Sequence, residues 1–308
     1  MTIVKQQIKD YINININTRH PNWEELVHYD FGDIVFYDHY YFRNVIDDNH
    51  GITPIEDSPE WLLWDISNRY AQIDLHATTS TIWNSTSALV PTDNKLVTEF
   101  STNNYNIVAL GRVKGGSVKI EILDGGGAVV HTETKTSYSR PSSNTWYNYY
   151  FDPFENSYEG SGKHEAFYFR IPPIKGTVRV TVDAVNGVAS VGFMIGGYSK
   201  FVGDTLFGVS TGIEDNSIWK TDDFGITSVI ERDASESLDL DVQYAAVNST
   251  EVKINVRDIV GEIVLFIGDE DTYSKYDHLM ILGKVDSFTP VISNPIMTKA
   301  SFSVSEII

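Results

Sequence analysis

The sequence predicts a mainly β, multidomain protein. Three observations carry this expectation. Strand-period alternation recurs along the chain, no helical period persists through its middle, and 308 residues exceed the usual size of a single core. Apolar residues at 42% and aromatics at 12% suffice for substantial cores and exclude a disordered chain. Charge divides unevenly: the net is −7 over residues 1–72, zero over 73–200 and −12 over 201–308, giving −19 in all. Those steps coincide with changes in sequence texture and suggest three modules with these boundaries.

The first module is expected to be a small aromatic β unit preceded by an N-terminal arm. Tyr11–Asn17 alternates Ile12, Ile14 and Ile16 with Asn, the pattern of a strand. It reads either as an ordinary N-terminal strand or as an arm pairing with a neighbouring subunit. Tyr29–Tyr37 and Tyr40–Val45 are two strands around a tight Asp38-His39 turn. Asp47–Pro59, with two Pro and a Gly, reads as an irregular loop, and Trp61–Ile66 closes the module.

The middle module is expected to be two sheets packed face to face, a β-sandwich. Val118–Leu123 alternates, Asp124-Gly125-Gly126-Gly127 supplies a turn, and Ala128–Glu133 returns as a hairpin. Trp146–Phe151 and Glu165–Ile171 are further strands, the latter ended by Pro172-Pro173. Thr177–Val182 and Val188–Ile195 flank Asn186-Gly187 and read as a second hairpin. In the third module, Ser228–Arg232, Leu238–Val242, Glu262–Ile267, His278–Lys284 and Ser301–Ile308 are expected strands. Gln243–Val256 is the expected helix, weakened at Asn248-Ser249-Thr250. A β-rich α+β domain follows.

Several functions are excluded or unsupported. Without cysteine there are no disulfides, thiolate metal sites or cysteine nucleophiles. The acidic surface opposes direct nucleic-acid binding and attachment to anionic membranes. No stretch is long and apolar enough to span a bilayer, and the first residues are too polar for a signal peptide. His164-Glu165 begins like a zinc hydrolase motif, but position 168 is Tyr where that motif needs His. His20, His28 and His39 match no ligand spacing, so neither a metal nor a cofactor is expected. Asp269-Glu270-Asp271 lacks the EF-hand spacing and reads as a solvated acidic turn. No catalytic pattern stands out, and no enzyme is expected.

Two groups of residues are candidate sites. Tyr37, Tyr40, Tyr41, Trp61 and Trp64 lie close together in the first module. Such rings either stack on the apolar faces of sugars or complete a small core. Asp222-Asp223-Phe224-Gly225, together with the Ile12, Ile14 and Ile16 arm, is the candidate assembly interface. That loop reads equally as a simple turn of the monomer.

Gly32-Asp33-Ile34-Val35, Tyr40-Tyr41-Phe42-Arg43, Asn49–Pro54 and Pro59-Glu60-Trp61 resemble the small chitin-binding-like modules of chitinases and phage tail proteins. Asn68-Arg69-Tyr70 with Asp74 resembles a junction found in a tailed-phage virion protein family. Trp146–Phe151 and Pro172-Pro173 are similar to that family's galactose-binding-like jelly roll. Thr205–Gly208, Gly212–Asp215, Lys220–Gly225, Val229–Arg232 and Phe266–Asp269 resemble its C-terminal signature. The likeness spans roughly residues 30–308. It implies a structural component of a bacteriophage tail, baseplate or tail tip, made in the host cytoplasm and resident in the virion. The implied partners are other tail proteins and further copies of the chain. The alternative it implies is an adhesion protein that binds a host surface glycan.

Overall fold

The chain is mainly β, with strands distributed over several sheets and, among the described residues, helix only in short segments. The computed structural model describes residues 1–9, 11–75, 77–83, 87–88, 95–137, 166–184, 188–221, 224–225, 227–232, 234–269, 279–292 and 294–307. Trp146–Phe151, the Asn186-Gly187 turn, Asp222, Asp223 and Glu270-Asp271 lie outside these residues. Among the described residues no helix is long and apolar enough to cross a membrane. The chain divides into two compact units. One comprises Met1–Gln7, Tyr105–Val108 and Ile195–Ile308, and the other Ile8–Asn104 and Ala109–Met194.

The first unit is built on an antiparallel sheet. Its strand order is Ser199–Phe201, Thr2–Lys5, Val264–Ile267, Met280–Val291, Met297–Glu306, Ser235–Ala245 and Asp204–Thr205, and Ser210–Glu214 also pairs with Ser235–Ala245. Ser235–Ala245 shows why the sheet has one apolar face. Leu238, Leu240, Val242 and Tyr244 are buried at every second position, while Asp239 and Asp241 between them are exposed. Phe266, Ile281, Phe302 and Val304 join the same core.

The helix Ser249–Arg257 packs Val252 and Val256, one turn apart, into that core. It begins later than expected, because Gln243–Ala245 complete a strand and Ala246–Asn248 form a 3-10 turn. Short polar side chains compete with the helix backbone and favour its start over its middle, which places Asn248-Ser249-Thr250 at the N-terminus. Glu251 in the first turn and Arg257 in the last complement the helix dipole.

Gly283 lies between two strands, opposite Val264 on one side and Glu306 on the other. A Cβ there would collide with the Ser305 carbonyl oxygen. Gly283→Ala is therefore expected to cost about 1–3 kcal/mol, the usual range for forced overpacking, measured by chemical denaturation.

The second unit holds an antiparallel five-stranded sheet in the order Val129–Thr136, Ser117–Leu123, Lys175–Asp183, Leu96–Asn103 and Asn13–Ile14. The hairpin at Asp124–Gly127 forms as expected. Asp124 Oδ1 accepts from the N–H of Gly126 at 2.8 Å and of Ala128 at 2.9 Å, and Gly127 takes a positive φ of 82°. The expected hairpin of Thr177–Val182 with Val188–Ile195 does not form. Both edges of Lys175–Asp183 are taken, by Ser117–Leu123 and by Leu96–Asn103. Ser190–Val191 pairs instead with Thr79–Ser80, and Phe193–Gly197 neighbours Ile107–Gly111 in a three-stranded sheet completed by Phe167–Arg170. Non-local burial outweighs the local turn signal here. A separate three-stranded sheet, Ile34–Tyr37, Tyr40–Asn44 and Trp61–Ile66, carries the aromatic residues.

Candidate functional site

The aromatic residues singled out in the first module separate into core and surface. Trp61 is 2% exposed and, with Tyr29, Val35 and Phe42, forms a small core against which Trp23, Tyr37 and Tyr40 pack. Its Nε1 donates to the Ile52 carbonyl at 2.9 Å, and its ring meets Tyr29 edge to face at 5.5 Å. Tyr41 is buried too. Its hydroxyl accepts from the Arg19 N–H at 2.9 Å, and its ring meets His20 at 5.0 Å. Tyr37 packs edge to face on Trp23 at 5.6 Å. Tyr40 is half-buried, and burial, with Asp74, Glu56 and Asp38 nearby, pushes its phenol above the usual tyrosine range.

Trp64 alone of the five has more than half of its surface open, at 51%. The cause is local. The register between the second and third strands slips after Phe42↔Leu63 so that Tyr41 faces Asp65, leaving Trp64 as the extra residue of a β-bulge. The Arg43 guanidinium carbon lies 5.2 Å from the Trp64 ring centroid and 5.9 Å from that of Phe31, which is also exposed. The result is an open strip of Phe31, Arg43 and Trp64, flanked by exposed Leu62.

The junction at Asn68–Asp74 has a structural role. Buried Asn68 donates from Nδ2 to the Ser80 carbonyl at 2.8 Å and accepts the Ser80 N–H at 2.9 Å. The Tyr70 ring stacks on His39 at 4.0 Å and on Tyr11 at 5.6 Å. Sequence texture gave no sign of that stack, because its members come from three separate segments.

The Ile-Asn segment pairs within its own chain. Asn13–Ile14 forms the edge of the five-stranded sheet, with Asn13 opposite Glu99 and Ile14 opposite Thr98. The Asn15 side chain extends the match, donating to the Lys95 carbonyl at 2.6 Å and accepting the Val97 N–H at 2.9 Å. Ile14 and Ile16 are buried, whereas Ile12 stays 58% exposed.

A further open apolar feature lies in the first unit. Ile218–Thr221 and Thr227–Ile230 form a two-stranded hairpin paired with no third strand among the described residues. Ile218 faces Ile230 across it, and Trp219 faces Val229 at the next position, so apolar pairs project from both faces. Trp219 is 63% exposed, and Phe224 at the turn, beside Gly225 with its φ of 79°, is 90% exposed. Exposed Phe207 and Ile213 precede the hairpin in the chain. At its base the Trp219 Nε1 donates to Asp215 Oδ2 at 3.3 Å, and Asp215 also accepts the Ser217 N–H at 2.9 Å. These bonds, those from Ser217 foremost, lower the Asp215 pKa.

No family model, no curated protein and no solved structure matches the chain.

Proposed function

We propose that the chain is a non-enzymatic structural component of a bacteriophage tail, baseplate or tail tip that acts through protein–protein assembly, first with further copies of itself. The observation that carries this reading is the Ile218–Ile230 hairpin. An isolated two-stranded hairpin is marginal in water, and this one turns Trp219, Val229, Ile230 and Phe224 to solvent. Large contiguous apolar exposure marks interaction surfaces, and Trp is the residue type most enriched at interface hot spots. The C-terminal family likeness falls on the same residues. In this reading the chain comprises the small aromatic module, a galactose-binding-like jelly roll built from the five- and three-stranded sheets, and a C-terminal α+β assembly domain. It resides in the virion tail after synthesis in the host cytoplasm, with no direct nucleic-acid partner and no membrane insertion.

Light scattering of the purified full chain tests this reading, together with cryo-electron microscopy of the intact particle. A discrete homo-oligomer with the hairpin at its contacts is expected. A chain that stays monomeric at every concentration and is absent from tails would sink the proposal.

One observation favours a second reading, binding of a host surface glycan. The Phe31–Arg43–Trp64 strip offers a half-exposed indole with a cation over its ring, whereas buried Trp61 and Tyr41 have no face free for a sugar. Trp64→Ala is expected to abolish any glycan-array signal without changing stability by more than about 0.5 kcal/mol, as for a surface position. A signal that survives the substitution removes the strip from consideration.

A further inference from the structure

His28 and His50 are far apart in sequence and meet through a single backbone bridge. Tyr29 donates its N–H to the Asn49 carbonyl at 2.8 Å, and Asn49 returns the bond to the Tyr29 carbonyl at 2.9 Å. Residues flanking such a doubly bonded antiparallel pair stand directly opposite each other on the same side. That register sets His28 against His50, and their rings stack at 4.5 Å with 21° between planes. Asp48 takes a left-handed conformation, φ 51°, and its Oδ1 lies 2.5 Å from His28 Nδ1. One donor atom from each of the three side chains lies within 4.8 Å of the others.

The backbone beneath this cluster is fixed from inside. Asn44 is fully buried, and its Nδ2 donates to the carbonyls of Tyr29 at 2.9 Å, Asp30 at 3.0 Å and Ile46 at 2.6 Å. Its Oδ1 accepts from the Nδ2 of buried Asn49 at 2.9 Å. Both segments that carry the cluster are therefore tied to one internal amide, the rigid support that a ligand set requires.

We propose that His28, Asp48 and His50 bind one divalent transition-metal ion, with Zn2+ the species that fits. Two imidazoles and one carboxylate are a borderline nitrogen and oxygen set, suited to Zn2+ and unlike the all-oxygen shells of Ca2+ and Mg2+. Bonds of about 2.0–2.1 Å to a tetrahedral ion put donor atoms about 3.3 Å apart. The present separations, from 2.5 Å to within 4.8 Å, bracket that value, and the three exposed side chains reach it by rotation. Residues 8–72 of the same unit hold 12 acidic and 4 basic side chains, a balance that favours a cation. Three protein donors leave a fourth position to water or to a donor from another molecule. The bound ion ties the segment at His28 to the Asp48–His50 segment.

The test uses the untagged full chain, stripped with chelator and titrated with Zn2+ by calorimetry and with Co2+ by visible absorption. One equivalent is expected at this site, with the absorption of tetrahedral Co2+. His28→Ala and His50→Ala are each expected to weaken it by about tenfold or more, and Asp48→Asn by a similar factor. His131→Gln, outside the cluster, is expected to leave it unchanged. All four variants are expected to keep the wild-type circular dichroism, since the substituted side chains are not part of a core. Absence of Zn2+ binding by the wild type overturns the proposal. So does an unchanged affinity and stoichiometry in a folded His28→Ala/His50→Ala variant.

Discussion

Replacing Trp219 by alanine is expected to convert an assembling chain into a monomer without unfolding it. In the single chain Trp219 is 63% exposed, so truncation removes little buried surface from the fold. In an assembly that covers the hairpin the same indole becomes a desolvated anchor. Truncating an anchor of this kind costs about 2 kcal/mol or more, roughly a thirtyfold loss of affinity. Sedimentation across a concentration series checks the effect, with thermal melting as the control for folding. Ile230→Asp provides an independent route, because it forces a carboxylate into the apolar contact on the hairpin's other face. Oligomers of wild-type size in both variants would place the contact elsewhere and remove the hairpin from the assembly.

The largest effect on stability is expected at Asn44. Its buried side chain serves three carbonyls and one amide. Alanine leaves those groups without their partner, and the bonds to the Tyr29 carbonyl and from the Asn49 amide are the fully buried ones. Each orphaned buried group costs about 1–3 kcal/mol, so a total loss of about 3 kcal/mol or more is expected for Asn44→Ala. Asn44→Asp keeps the shape but replaces both donor hydrogens with a carboxylate facing carbonyl oxygens, and is expected to be at least as damaging. Urea unfolding followed by tryptophan emission checks the change, with Trp23 and Trp61 at the adjoining core among the six tryptophans that contribute. A loss below about 0.5 kcal/mol would show that the network contributes little. The same substitution loosens the Tyr29–Asn49 bridge, so the His28–Asp48–His50 cluster is expected to lose Zn2+ along with it.

The β class was legible because strand alternation is a local property. Val118–Leu123, the Asp124–Gly127 turn and the return strand carry period, turn chemistry and partner within a few residues of one another. The alternating apolar positions of Leu238–Val242 likewise marked a face before any contact was known. Partner choice was not local. Thr2–Lys5 lies between Ser199–Phe201 and Val264–Ile267, a pairing that nothing in the first residues specifies. Asn186-Gly187 carries a strong hairpin signal, yet the strand before it finds both partners far away in sequence.

The candidate sites divide along the same line. Trp61 and Trp64 share one short segment and one residue type; three positions apart in a strand they fall on opposite faces, and only packing against Tyr29, Val35 and Phe42 decides that Trp61 is the one inside. His28 was grouped in the sequence with His20 and His39, whose spacing fits no ligand set, because its partner His50 is set by the Tyr29–Asn49 bridge and not by spacing. The sequence by itself determined many of the strand-forming segments, several of their turns and the uneven charge, but left Leu96–Asn103 and Ile107–Gly111 unmarked. Tertiary structure decided which strands pair, which rings are buried and which polar groups converge. Alternation requires only that one side of a strand be apolar, whereas pairing and burial are settled by competition among all segments for the same edges and the same core.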